Sequence, residues 1–373
     1  MAAPCFSILC CFSSLKDPRI NRRKRHQLLD IVAIALCAVI AGANNWQQIE
    51  QFAHTRRDWL KTFLSLPNGI PSHDTFERLF ARLSPAAFQR CLLGWLAALA
   101  KELGAKHFAI DGKVLRSSGS KAHDLGPLHL VSVWATELHL SLGQVAVDEG
   151  SNEITAIPRL LELLDLKGAL VTIDAIGCQT EIAEQIIAGK GDYVLVVKGN
   201  QEHLQADILA TLEHAEETHY QGVNYDIFQQ QEYGHGRHEY RSYLVFYDLD
   251  KIRDREEWAG LKAVGVCYRE STEGEATSEE WRCFIGSKKA SARYYGKGLR
   301  NHWRIENNLH WQLDVAFAED DSRVQDRNAG QNLAVLRRVA LCLLKKQEGK
   351  GSIATKRYHA TLDVSCLAEI LKG

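Results

Sequence analysis

Across the 373 residues no apolar run is long enough to cross a bilayer, no two cysteines stand in a CxxC spacing, no stretch repeats, and neither charge sign is in excess. Each absence excludes something. The strongest apolar run, Ile31 to Ala43, is bounded by Asp30 and Asn44. At about 13 residues it suits a buried helix, whereas a span needs about 20. The ten cysteines are scattered, several inside apolar runs, which fits core thiols in a reducing compartment better than a disulfide framework. Met1 to Leu15 lacks a basic n-region and a small-residue cleavage site, so a signal peptide is not expected and the cytoplasm is. With 46% apolar and 24% charged residues, disorder, collagen and coiled coil are excluded, and the length allows two or three domains.

The charge balance, 45 Lys and Arg against 46 Asp and Glu, speaks at first against a nucleic-acid partner. Split by segment it says something else. Residues 1–110 carry 14 basic and 7 acidic side chains, 111–287 carry 15 and 30, and 288–373 carry 16 and 9, so two basic ends (+7 each) flank an acidic middle (−15). Such asymmetry points to polyanion binding or metal sites, or to uneven solvated faces.

Hydrophobic spacing divides the chain further. Residues 1–15 are an atypical leader, and 16–104 read as an all-helical domain, with helices over Asp30 to Ala43, Trp46 to Ser65 and from Ser72, then two more to Gly104. Its basic leader, Arg19, Arg22, Arg23, Lys24, Arg25 and His26, suits phosphate contact or simple solvation. At His107 the period becomes strand-like. Strands are expected at Phe108 to Asp111, Leu128 to Ala135, Leu140 to Val147, Ala169 to Ile173 and Tyr193 to Val197, with intervening helices, within an α/β core over 105–220. Residues 221–287 read as a β-rich insertion. Helices return over 288–348, and 349–373 is left as a C-terminal tail.

Two strands end alike, Ala109-Ile110-Asp111-Gly112 and Thr172-Ile173-Asp174-Ala175. A strand-end carboxylate stands at the sheet's carboxyl edge, where open α/β sheets place ligands. A pair of them in a desolvated site requires a cation or a shared proton, and Mg²⁺ is the economical choice; each could instead cap a turn. On the late helix His302, Glu306, His310 and Asp314 fall at four-residue spacing beside an apolar stripe of Trp303, Ile305, Leu309 and Leu313. That row is either a face of ion pairs or faces a metal. Glu306 with His310 resembles an i, i+4 ligand pair, which keeps a zinc or di-metal hydrolase open, although the lack of HExxH and of a cysteine ligand set weakens zinc.

Together these residues resemble the DDE transposases of bacterial insertion sequences, in the branch that includes the H-repeat-associated proteins of Rhs elements. The likeness runs from residue 16 onward. It includes Asp17-Pro18-Arg19, Pro71-Ser72-His73-Asp74-Thr75-Phe76, Ala109-Ile110-Asp111-Gly112-Lys113, Ser151-Asn152-Glu153-Ile154, Thr172-Ile173-Asp174-Ala175 and Lys198-Gly199-Asn200-Gln201. It continues with Gly234-His235-Gly236-Arg237, His302-Trp303, Ile305-Glu306-Asn307, Leu309-His310-Trp311 and Leu313-Asp314-Val315. The resemblance implies a ribonuclease H-like mixed sheet with helices on both faces, interrupted by the β insertion before the last catalytic helix and preceded by the helical DNA-end-binding domain. It implies that Asp111, Asp174 and Glu306 hold two Mg²⁺ or Mn²⁺ ions, which suits in-line phosphoryl displacement. It also implies double-stranded DNA partners, the terminal inverted repeats and a target, a homodimer on paired ends, and no nucleotide cofactor. The wider group's Tyr-x2-Arg-x3-Glu-x6-Lys pattern falls here on Leu299, His302, Glu306 and Leu313.

Lys113, Arg116, Lys198, Asn200, Arg237, Arg300, His302, Arg304 and Asn307 are the candidate DNA contacts of the core, and Arg22, Arg23, Lys24 and Arg25 those of the leader. Asp148 and Asp314 are reserve acids. Trp46, Trp59, Trp95, Trp303 and Trp311 read as packing. Three functions fit: a transposase, a metal-dependent nuclease or phosphodiesterase without strand transfer, and a catalytically silent DNA-binding relative.

Overall fold

The structure is a computed structural model and describes residues 10–20, 22, 24–91, 106–120, 124–148, 150–234 and 236–372. Arg23, Trp95 and His235 lie outside the described residues, as does residue 92 onward of the two helices expected up to Gly104; residues 85–91 are helical. Among the described residues no helix is long and apolar enough to cross a membrane.

The N-terminal part is helical, with α1 at Leu28–Ile40, α2 at Trp46–Thr55 and α3 at His73–Arg82. Every residue of α1 but Leu29 is buried, as an all-apolar helix requires. Its one acid, Asp30, accepts the Leu66 backbone N–H at 3.1 Å. The helix expected over Trp46 to Ser65 is broken at Arg56 and resumes for one turn at Arg57–Leu60.

The core follows with β1 (His107–Leu115), β2 (Leu128–Ala135), β3 (Leu140–Ala146), α4 (Glu153–Leu161), β4 (Leu170–Ile173), α5 (Thr180–Ala188), β5 (Asp192–Val197) and α6 (Glu202–Glu217). Four long strands come next, β6 (Tyr225–Gly234), β7 (Arg237–Phe246), β8 (Ala263–Glu273) and β9 (Ala276–Gly286). The chain ends in helices: α7 (Ala292–Ile305), a π-helical turn (Glu306–His310), α8 (Trp311–Phe317), α9 (Arg327–Lys346), α10 (Ile353–Leu362) and α11 (Val364–Lys372). The strands form one mixed sheet in the order β3-β2-β1-β4-β5-β9-β8-β7-β6. β1 is antiparallel to β2 and parallel to β4, and β5 is parallel to β4.

The expected insertion is therefore no separate module. β9 pairs antiparallel with β5, so the four late strands prolong the core sheet. Alternation along β5 shows both faces covered: Tyr193, Leu195 and Val197 enter one apolar cluster, Val194 and Val196 the other. Helices α4 and α5 pack on the first face and α7 on the second. The approach of α7 is close at Gly296, where a Cβ would come within 2.8 Å of the Tyr243 ring.

One continuous core unites the leader, the N-terminal helices and the sheet. α9, 15 of whose 20 residues are buried, packs on α1, α3 and β3. In the leader, Phe12 is buried and stacks on Phe88 at 5.2 Å. The C-terminal tail carries α10 and α11 and is docked on the core: Arg357 of α10 donates to the Val39 carbonyl from both Nε and Nη2 and lies over the Phe317 ring.

Candidate active site

The parallel register pairs Ile110 with Ile173, the last pair of the β1–β4 ladder, so Asp111 and Asp174 follow it at the same level. Asp174 stands just past the end of β4, but Asp111 does not end its strand as expected: β1 continues to Leu115 because it stays paired with β2, Asp111 opposite Ser132. Both line a cleft of about 1060 Å³ bounded on one side by the α7 segment and on another by β6–β9. The π-helical turn carries Glu306 and Asn307 into the same cleft. In that turn the Trp311 N–H reaches back five residues to the Glu306 carbonyl, a widening of the helix often found at functional sites.

One ligand atom each of Asp111, Glu306 and His310 lie within 4.8 Å of one another. Asp174 is not in that close trio but lines the cleft beside it, about half exposed, with the Lys198 ammonium 3.7 Å away. His310 is 3% exposed, and its Nε2 is 3.2 Å from Asp111 Oδ2. Burial pushes the Asp111 carboxyl up, but the His310 hydrogen bond and the charges of His310 and His302 outweigh it, leaving the acid below its ordinary range. The trio fits a divalent cation: two carboxylates and an imidazole converge, Asp111 is only 26% exposed at its side chain, and among the described residues no lysine or arginine bonds it.

Around these groups the backbone is held tightly. Asn200 donates to the Ala175 carbonyl at 2.8 Å and so fixes the turn after Asp174; it faces away from the cleft. His302 is buried, with Nδ1 3.1 Å from the Thr172 hydroxyl, whose other neighbour is His107 Nε2 at 2.9 Å. Burial lowers the basicity of both rings, that of His107 to about 3, while the charges of Asp111 and Asp174 act against it at His302. Gly112 leaves room for the Glu153 carboxylate, which a Cβ there would meet at 2.1 Å; Glu153 in turn holds His129 at 2.9 Å.

The late strands and the α7 helix are tied together. Asp226 of β6 accepts the Ala292 N–H at 2.8 Å at the start of α7, and Glu232 accepts from Arg300 at 2.6 Å and from Arg241 at 3.2 Å. Arg237 pairs with Glu273 at 2.8 Å, and Arg269 with Glu239. Arg282 lies 4.5 Å over the Trp303 ring.

The other sequence candidates divide between this cleft and elsewhere. Lys198, Arg237, Arg300, His302 and Asn307 line the cleft with the acids. Lys113 does not: it is 8% exposed and bonded inward to Asp314, Glu319 at 3.8 Å, Asp320 at 3.7 Å and the His310 carbonyl at 3.4 Å. It alternates onto the same face of β1 as Asp111, which turns it under the helix instead of toward an incoming strand. Arg116 is exposed outside the cleft, 3.4 Å from Asp320. Arg304 is exposed on α7 and is not among the residues lining the cleft. Arg22, Lys24 and Arg25 are exposed on the leader, Lys24 3.7 Å from Asp17.

Of the reserve acids, Asp314 belongs to Lys113, and Asp148 is exposed beside Arg159 at 3.2 Å. Trp46 is buried on Phe80 as expected, whereas Trp311 is 52% exposed and does not serve as packing. His310 is marked in the sequence only as the fourth residue after Glu306. Its place beside Asp111 depends on the turn between them.

A polar cleft in which acids from two adjacent strands meet a helix-borne glutamate beside an arginine-rich wall is an arrangement suited to phosphoryl transfer. Residues 102–343 match the model of the Transposase DDE domain, and residues 9–96 that of the DDE_Tnp_1-associated region. The chain belongs to the DDE transposase family. It is 39% identical over 370 residues to "Putative transposase YncI" of Escherichia coli O157:H7, covering 98% of this chain and 94% of that one. To "H repeat-associated putative transposase YhhI" of Escherichia coli strain K12 it is 38% identical, covering 97% and 96%. Among solved structures, a piggyBac transposase synaptic complex with hairpin DNA is similar at a TM-score of 0.39 and 9% identity, over 99% of this chain and 82% of that one, a level that does not define a shared fold.

Proposed function

We propose that the chain is an active transposase that binds the ends of an insertion element, cuts a DNA strand there and joins the freed 3′ end to target DNA. One observation carries this reading: the register that sets Asp111 beside Asp174, with Glu306 brought over Asp111 in a single open cleft. These three acids would hold two Mg²⁺ or Mn²⁺ ions. The ions would supply charge stabilisation for the attacking and leaving oxygens of an in-line displacement. The order β3-β2-β1-β4-β5, with β4 and β5 parallel to β1, supports a ribonuclease H-like core.

The protein's own groups set the geometry. Lys198, Arg237, Arg300 and Asn307 would meet the phosphates of the strand in the cleft, with planar guanidinium groups suited to bidentate contact. Asn200 and His302 act behind them, holding the turn after Asp174 and the α7 helix against β4. Arg22, Lys24 and Arg25 would contact the terminal repeat, and two protomers would act on paired ends in a bacterial cytoplasm.

The test incubates the protein with Mg²⁺, a labelled duplex carrying the element's ends and a supercoiled target. Cleaved and joined products are expected; Asp111→Asn should bind and not cut. Cleavage without joining on a pre-cut end would point to a nuclease, and binding without cleavage by wild type would refute the catalytic reading.

A further inference from the structure

His310 stands where a fourth donor to the metal site would stand. Its ring is almost fully buried, its Nε2 is 3.2 Å from Asp111 Oδ2, and a ring nitrogen lies within 4.8 Å of a Glu306 carboxylate oxygen. Its Nδ1 is buried and has no hydrogen-bond partner among the described residues. The residue is pinned from two directions, since its backbone carbonyl also accepts from Lys113, two residues beyond Asp111 on the same face of β1. The π-helical turn begins at Glu306 and ends at His310, so the widened segment carries both groups. An imidazole merely filling core space would not need one carboxylate bonded to it and a second close by.

We infer that His310 Nε2 is a direct ligand of the divalent ion held between Asp111 and Glu306, making that position a mixed nitrogen and oxygen site. The inference rests on the acids being metal ligands, as proposed above. Neighbouring donors of an octahedral ion about 2.1 Å from the metal stand about 3 Å apart, close to the Asp111–His310 separation. Replacing one oxygen donor by imidazole shifts preference toward Mn²⁺ and away from Mg²⁺, which keeps oxygen ligands and water. The competing arrangement, in which Nε2–H only donates to Asp111, places the nitrogen outside the coordination shell.

Electron spin-echo modulation separates the two. The full chain is loaded with Mn²⁺, in natural abundance and again with ¹⁵N-labelled histidine. A directly bound imidazole gives a ¹⁴N modulation that the label converts to ¹⁵N, with no variant needed. His310→Gln should abolish the signal and weaken Mn²⁺ binding by about tenfold or more, with a smaller change for Mg²⁺. Stoichiometric Mn²⁺ binding without nitrogen modulation, or a modulation that survives in His310→Gln, would overturn the inference. Absence of Mn²⁺ binding by wild type would overturn it together with the metal reading of the acids. A nitrogen signal in a protein that neither cuts nor joins DNA would uphold it while the transposase reading fell.

Discussion

Lys113 follows Asp111 by two residues and in sequence resembles a phosphate contact; in the structure its ammonium is internal. Replacing it by Met keeps the length of the side chain and removes the charge. Three carboxylates then lose their common partner. Glu319, fully buried, keeps Arg338 at 2.8 Å, while Asp314 and Asp320 are 34% and 24% exposed at their side chains and recover some hydration. Removing one partner of a buried pair costs about 3–5 kcal/mol, and the surviving Arg338 contact sets Lys113→Met near 3 kcal/mol. Arg116→Ala is the control: an exposed pair with Asp320, with a cost of at most about 1 kcal/mol. Urea denaturation of both variants reads the difference. The salt dependence of DNA binding provides the second axis, because loss of one phosphate contact lowers the slope of log K against log salt by about one. Lys113→Met should leave that slope unchanged. A variant as stable as wild type within about 1 kcal/mol, binding DNA more weakly with a slope reduced by about one, would refute the internal role and restore Lys113 as a DNA contact.

Acid should weaken the fold through His107. Its folded pKa, about 3, is depressed from the usual 6.5, so its contribution is fully present above pH 6.5 and is lost as pH falls toward 3, at about 1.4 kcal/mol per pH unit. Stability at pH 5.5 should be lower than at pH 7 by about that amount, and His107→Asn should flatten this part of the curve; an unchanged slope would refute the assignment. Ca²⁺, which takes oxygen donors, should tighten DNA binding to the wild type and do little for a variant with Asp111→Asn, Asp174→Asn and Glu306→Gln together, as measured by fluorescence anisotropy. Arg357→Ala should cost about 3 kcal/mol, since it strands buried carbonyls of Val39 and Ala43, and should expose α10 and α11 to proteolysis before the rest of the chain.

The features legible in the amino-acid sequence are periodic or local. The two Ile-Asp motifs, the apolar run of β5 and the almost wholly apolar α1 follow from side-chain spacing alone, and the five strands expected over 105–220 are found, though β1 runs on past Asp111 to Leu115. Non-local features leave no such trace. Nothing in 221–287 says that β9 pairs with β5, because edge pairing depends on which hydrogen-bonding groups remain free once β1 to β5 have assembled. The direction of Lys113 is likewise hidden: its neighbours Asp314, Glu319 and Asp320 are about 200 residues away along the chain. Arg116 lies in the turn after β1 and Arg304 one helical turn beyond Arg300 on α7, and the spacing does not say which of the three reaches the cleft. His310 does carry a signal, the four-residue interval from Glu306, but an ordinary solvated helix face carries the same one.

The near-neutral total charge has a structural counterpart at the cleft. Its lining holds six cationic side chains and six carboxylates, so the site alone presents little net field to DNA. The carboxylates are of two kinds. Glu232, Glu239 and Glu273 are engaged by arginines of β7, β8 and α7, whereas Asp111, Asp174 and Glu306 are not bonded to any arginine there. The first kind holds guanidinium groups in fixed positions on the wall, which reduces the entropy each would lose on meeting a phosphate. It also gives the acidity of the late strands a role in holding the wall. The second kind leaves the wall's positive charge uncompensated once divalent ions occupy it. A chain that is neutral as a whole can then be selective in time, attractive to DNA at the cleft after the metal has arrived and indifferent before it.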